Sequence, residues 1–338
     1  MKLKAGIIGL GKMGISHAAI VGPHPSVDMV AVCDTSSLVL DVFRKFSKVN
    51  VYTDYTKMIE KEKLDFVVIA TPTRLHYPMV KYALGKGIHV FCEKPFCLSV
   101  KEGKELLNLA NEQWLVNQVS YHNHFVGTFR ELKRLLQAGV LGELVHFIGE
   151  AYGSVITNEK GSTWRSDPKE GGGCLMDYAS HVINLIQEMI GRPVSTRGTI
   201  LKKVFSKDVD DAVYTLLVLN NGLTGNLSVN WCDSTYRKMS TSLTVTGKKG
   251  KILCDATEIR IYLNEANSTV NLPKGWTIKY LTELAIPVNF NLRGEEYSAQ
   301  IEHFVDCIIK RKQTEINSFE QALYTDKVVE LIIADSKK

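Results

Sequence analysis

Three groups of residues in this chain could do chemistry. The first is Gly9-Leu10-Gly11-Lys12-Met13-Gly14, a G-x-G-x-x-G spacing. Gly9 would allow a tight turn, Gly11 would let a diphosphate approach the backbone, and Gly14 would permit close helix–strand packing. The N–H groups at the start of the helix that follows would then face the phosphates. The second group is Phe91-Cys92-Glu93-Lys94-Pro95-Phe96, which holds a lysine between a carboxylate and a proline. Such a lysine can stabilise negative charge on a reacting oxygen; the plain alternative is a solvated surface charge. In the third, Asp177 and His181 are spaced i,i+4, with Asn184 continuing after a run of three glycines. On a helix these side chains share one face and could grip hydroxyl groups. An exposed Asp–His pair is the alternative.

The elements around these groups decide how much they mean. Ala5–Leu10 reads as a buried strand leading into the glycine turn, and Gly14–Val21 as the helix after it. Strands follow at Met29–Cys33, Phe66–Ala70, Ile88–Cys92 and Val116–Ser120, with helices at Leu38–Phe46, Asp54–Lys61 and Leu75–Leu84 between them. Ser99 with Glu102 forms a capping box for a further helix. This alternation predicts a doubly wound parallel sheet, a Rossmann domain over residues 1–120. Asp34 then falls at the end of the second strand, twenty residues after Gly14. There a carboxylate can bond ribose hydroxyls and repel a 2′-phosphate, which favours NAD, with NADP still possible. The alternative for Asp34 is a turn cap.

Beyond residue 120 the pattern changes. Thr128 and Glu131 suggest a second capping box on a helix to Ala138-Gly139, followed by a strand at Leu144–Glu150. A polar loop from Tyr152 to Gly173 precedes a long helix, Cys174–Ile190. Strands at Ala212–Leu219, Gly225–Trp231, Ser242–Thr246 and Lys251–Cys254, split by turn signals, predict an antiparallel meander. Helices near Glu295–Lys310 and Ser318–Ala334 end the chain. Residues 121–338 are expected to form an α/β domain whose largely antiparallel sheet is open on one face. The strand Ala212–Leu219 is apolar on both faces, so the open face invites a second subunit, in a homodimer or homotetramer.

Composition excludes several classes. The net charge is only +5 over 338 residues, which does not argue for nucleic acid. No apolar run is long enough to span a membrane, and the glycine-broken start does not read as a signal peptide. The seven cysteines are scattered, without C-x-x-C pairs, as expected for buried thiols in a reducing compartment such as the cytoplasm. The histidines lack metal-ligand spacing, so no metal is expected.

Taken in order, Gly9-Leu10-Gly11-Lys12-Met13-Gly14, Ala70-Thr71-Pro72-Thr73 with His76, Glu93-Lys94-Pro95, and the glycine run with Asp177 and His181 resemble the glucose–fructose oxidoreductase and inositol dehydrogenase family, Gfo/Idh/MocA. The resemblance covers nearly the whole chain. It implies that Thr71, Pro72, Thr73 and His76 border the nicotinamide ribose and that Glu93 and Lys94 face the nicotinamide half. It also implies a cis Lys94–Pro95 peptide, and that Asp177 and His181 contact the reacting hydroxyl. Two departures touch substrate recognition: His124, after Asn123, stands where an arginine is common, and Asn184 stands where inositol dehydrogenases carry aspartate. In Ser162-Thr163-Trp164-Arg165, Trp164 could stack on a sugar and Arg165 bind an anionic group; equally, Trp164 could be core and Arg165 a surface ion pair. The activity implied is reversible, NAD-dependent oxidation of a secondary hydroxyl on a sugar, sugar derivative or cyclitol. An NAD-dependent glycosidase and a non-catalytic NAD sensor are the alternatives.

Overall fold

The computed structural model describes residues 2–158 and 163–338. The chain divides into two compact units. The first comprises Met1–His122 with Pro287–Leu323, the second Asn123–Ile286 with Tyr324–Lys338. The continuous division at residue 120 expected from the sequence is therefore replaced by an interleaved one. Its cause is the helix Glu295–Ile309, whose Ile301, Phe304 and Val305 are buried in the same core as Ile7, Val68 and Phe91.

In the first unit six parallel strands, β1 (Leu3–Ile8), β2 (Val27–Cys33), β3 (Asn50–Tyr52), β4 (Phe66–Ile69), β5 (His89–Cys92) and β6 (Asn117–Val119), lie in the order β3-β2-β1-β4-β5-β6. The apolar run of β4 shows why the sheet must be covered twice. Phe66 and Val68 enter one core while Val67 and Ile69 enter the other. A strand with no polar face can only sit between two layers of helices. The order of strands reverses at β1 and β4, which opens a crevice at their carboxyl ends. The turns after β1, β2, β4 and β5 carry Gly9, Asp34, Thr71 and Glu93. The short strand β3 had no apolar signal in the sequence and is held by pairing with β2.

The second unit holds eight strands: β7 (Leu144–Tyr152), β8 (Pro193–Lys202), β9 (Ala212–Leu219), β10 (Thr224–Asn230), β11 (Ser240–Gly247), β12 (Gly250–Asp255), β13 (Glu258–Leu263) and β14 (Gly275–Tyr280). Their order is β14-β13-β12-β11-β7-β10-β9-β8. The sheet is largely antiparallel, as expected, but it is not a simple meander. Strand β7 inserts between β10 and β11 and runs parallel to β10. Strands β8, β13 and β14 were not read from the sequence.

Burial alternates along the sheet. In β9, Val213, Thr215, Leu217 and Leu219 are buried, whereas Tyr214, Leu216 and Val218 are only half-buried. In β14, Trp276, Ile278 and Tyr280 are exposed. The expected open face is thus present, apolar at both ends and polar in the middle, where Glu150, Tyr152, Ser228 and Ser242 bond one another.

Two local expectations change. The helix Gly127–Gln137 begins one residue before Thr128, so Thr128 does not cap it; its hydroxyl donates to the Asp255 carbonyl at 2.5 Å. Glu131 pairs with Arg134 and Lys279 instead of closing a capping box. The predicted long helix from Cys174 opens as a π-turn, Leu175–Ala179, before continuing as the α-helix Ser180–Met189. Ser99 does cap its helix, accepting from the Glu102 N–H at 3.3 Å. No helix among the described residues is long and apolar enough to cross a membrane.

Candidate active site

The glycine turn is built as its spacing demands. Gly9 has φ +87°, and a Cβ there would lie 2.8 Å from the Ala70 carbonyl oxygen. A Cβ on Gly14 would lie 1.8 Å from the Gly9 carbonyl oxygen, so the helix can approach the strand only without one. At Gly11 a Cβ would meet nothing within 4 Å. Gly11 therefore faces open space, beside a helix start at Lys12 that no side chain caps. This cradle suits a diphosphate. Asp34 closes it from the β2 side, accepting from the Leu10 N–H at 2.5 Å and the Ser36 N–H at 2.8 Å. Each carboxylate oxygen keeps capacity for a ribose hydroxyl. The residues present fit a dinucleotide.

The lysine loop is held by buried partners. The Lys94–Pro95 peptide is cis. His76 is fully buried and clamps this loop to the turn after β4: Nδ1 faces the Pro95 carbonyl at 2.9 Å, and Nε2 the Thr71 carbonyl at 2.9 Å. Burial lowers its pKa. His76 supports the turn from inside and does not border a cofactor surface itself. Thr71 and Pro72 present the accessible edge, while Thr73 is buried. Glu93, expected to face the nicotinamide, is also buried. One oxygen meets His17 Nε2 at 2.6 Å and the other accepts from the Lys94 N–H at 3.3 Å. Burial raises the pKa of this carboxyl, but the hydrogen bonds from His17 and Ser120 and the nearby charge of Lys94 outweigh it and hold the group below its usual range. Lys94 itself is half-buried.

In the second unit the π-turn sets the stage. The Ser180 N–H reaches back five residues to the Leu175 carbonyl, which inserts one residue into the helical repeat. Asp177 and His181 are both buried. Arg165 Nε donates to Asp177 Oδ2 at 3.0 Å, and its guanidinium lies 4.3 Å from the Trp164 ring centroid. Arg165 is thus an ion-pair partner of Asp177, and Trp164, part-exposed, stacks on Arg165 and is not core. Ser162 lies outside the described residues. Asn184 points elsewhere: its oxygen accepts from His124 Nε2 at 2.7 Å and its amide donates to Thr325 at 3.1 Å. Both ends of Asn184 are satisfied internally, so His124 and Asn184 brace the helix and do not present themselves to a substrate. Burial pushes the His124 pKa down to about 4. Asn123 is buried beside them in sequence.

Two residues escaped the sequence reading. His17 carried no signal beyond its place after Gly14. Asp210 accepts from the Leu175 N–H at 2.6 Å and so caps the π-turn; burial pushes its pKa up to about 6. Gly173, at φ +108°, makes room for it, because a Cβ there would lie 2.7 Å from Asp210 Oδ1.

A family model for oxidoreductases with an NAD-binding Rossmann fold matches residues 3–121, and the C-terminal domain model of the same family matches residues 129–253. The chain belongs to the Gfo/Idh/MocA family. The chain is 25% identical over 316 residues to scyllo-inositol 2-dehydrogenase (NAD(+)) of Bacillus subtilis, covering 91% of this chain and 86% of that one. It is 28% identical over 200 residues to D-glucoside 3-dehydrogenase of Escherichia coli, covering 56% of this chain and 55% of that one. Against several curated relatives the match spans about half of their length. A solved structure of levoglucosan dehydrogenase in complex with NADH and levoglucosan superposes with a TM-score of 0.89 at 20% identity, covering 100% of this chain and 98% of that one. At that identity the likeness establishes the fold alone.

Proposed function

We propose that the protein is an NAD-dependent dehydrogenase that oxidises a secondary hydroxyl of a sugar, sugar derivative or cyclitol. The observation that carries this reading is the pairing of Asp177 with Arg165 one helical turn before His181, on a helix whose start is fixed by Asp210. Oxidation of a carbinol requires the hydroxyl proton to leave, and a histidine side chain suits that task. His181 takes this proton. Asp177, oriented by Arg165, accepts a hydrogen bond from a substrate hydroxyl. Lys94, on a loop pinned by Glu93 and His76, donates to the reacting oxygen and stabilises negative charge there. Trp164 offers an aromatic face to a sugar ring. Bound NAD would supply the acceptor for the hydride that leaves the carbinol carbon as its hydroxyl proton passes to His181.

The named relatives support the substrate class, being dehydrogenases of an inositol and a glucoside. The open face of the second unit's sheet supports a homodimer or homotetramer, and buried Cys33, Cys174, Cys254 and Cys307 suit the reducing cytoplasm. The test is a panel of cyclitols, aldoses and glycosides incubated with NAD while absorbance of NADH is followed. NADH formation with one of them supports the proposal. Glycoside cleavage without net NADH would instead mark a hydrolase, and NAD binding with no turnover of any panel member a sensor.

A further inference from the structure

We propose that His17 is a positioning residue that couples the phosphate-binding turn to the Lys94 loop. The inference rests on the nucleotide-binding part of the proposed function and is independent of which hydroxyl is oxidised. His17 lies in the second turn of the helix Lys12–Val21, whose uncapped start borders the glycine cradle. That helix follows β1, whereas Glu93 follows β5, and β4 separates the two strands. The His17 side chain bridges this gap, with Nε2 2.6 Å from Glu93 Oε1 and both groups buried.

The contact is specific. His17 Nδ1 makes no hydrogen bond, and the ring edge packs on Phe91 with centroids 5.3 Å apart. Donation to the carboxylate therefore places the proton on Nε2, and among the described residues Glu93 is the one hydrogen-bonding partner of the ring. On the other side, Glu93 Oε2 accepts from the Lys94 backbone N–H. A buried carboxylate that loses one of its donors is destabilised even where others remain, so Glu93 follows the His17 ring. A ligand that orders the helix start thereby orders the backbone of Lys94, on the far side of β4.

ADP-ribose is the probe, because it fills the nucleotide half and lacks the nicotinamide. We expect it to slow amide hydrogen exchange across residues 91–97 in the native protein and in His17→Gln, which keeps a donor. His17→Leu and Glu93→Gln are expected to lose this response. In equilibrium titrations with NADH each of these two variants binds roughly tenfold more weakly, and the double variant is no worse than the weaker single one. A native protein whose 91–97 segment ignores ADP-ribose overturns the coupling. So does a His17→Leu protein that responds like the native one, or a double variant whose loss equals the product of the single losses. If His17→Leu does not fold, Glu93→Gln decides alone, since it keeps the shape and removes the charge. Coupling without oxidation of any sugar would leave this inference standing and remove the proposed substrate class; oxidation without coupling would do the reverse.

Discussion

At the scale of single residues, the sequence identified chemical types better than the directions in which they point. Asp177 and His181 were legible because an i,i+4 spacing after three glycines is unusual. Asn184 was placed on the same face by the same arithmetic, yet it bonds His124 and Thr325 instead. A single sequence does not announce such partners, because they come from segments about 60 and 140 residues away. His181→Ala is expected to lower turnover by roughly 10²–10⁴, the usual worth of a general base, with NADH affinity hardly changed. Steady-state kinetics across pH 6–9 check this, and near-normal turnover would remove His181 from that role. His124 makes a prediction of a different kind. Its folded pKa, lowered to about 4 from 6.5, means that the folded state resists protonation. The stabilisation is fully present above pH 6.5 and is lost as pH falls toward 4, a change of about 3 kcal/mol. Denaturant unfolding should therefore show an acid-sensitive stability that His124→Gln flattens.

At the scale of elements, the alternation of strands and helices was readable because β1, β4 and β5 are short apolar runs bounded by turn signals. Strands β8, β13 and β14 were not readable. Their residues alternate with polar ones or face solvent, and their partners in the sheet supply the pairing. The glycine turn yields a contrast between two small substitutions. Gly14→Ala drives a methyl group into the Gly9 carbonyl and should lower the melting temperature sharply. Gly11→Ala meets no protein atom, so folding should be kept while NADH binding weakens by about tenfold or more, as the cradle fills. Thermal melts paired with NADH titrations separate the two, and equal loss of stability would contradict the geometry. Asp210 at the head of the π-turn has the opposite pH sense to His124. Its folded pKa of about 6 exceeds the ordinary 3.8, so the folded state binds the proton more tightly. Its contribution favours folding below pH 4 and is lost as pH rises to 6, costing about 3 kcal/mol at neutral pH. Asp210→Asn keeps an acceptor for the Leu175 N–H and removes that loss. Its stability advantage over the native protein should grow between pH 4.5 and pH 7; an advantage that stays constant would refute the assignment.

At the scale of the whole molecule, the two fold classes were legible but the path of the chain between them was not. The helix Glu295–Ile309 reads as an ordinary amphipathic segment, and nothing in its pattern names the sheet it covers. The open sheet face makes the last prediction. Tyr214, Leu216 and Val218 at one end, with Trp276, Ile278 and Tyr280 at the other, form apolar surface that a second copy can bury. Light scattering is expected to give a multiple of 37.8 kDa, and lysine at Leu216 and Ile278 together should shift the protein toward monomer. A native particle of single-chain mass across micromolar concentrations would exclude this. The route of the chain also governs how the protein is born. All six strands of the first sheet have left the ribosome once residue 119 is out, but Ile301, Phe304 and Val305, which share a core with its Ile7, Val68 and Phe91, follow only much later in the chain. Until then the helices Lys12–Val21 and Ser37–Phe46 cover only part of that apolar face, and the part left to Glu295–Ile309 stays open to wrong contacts while the chain is being made.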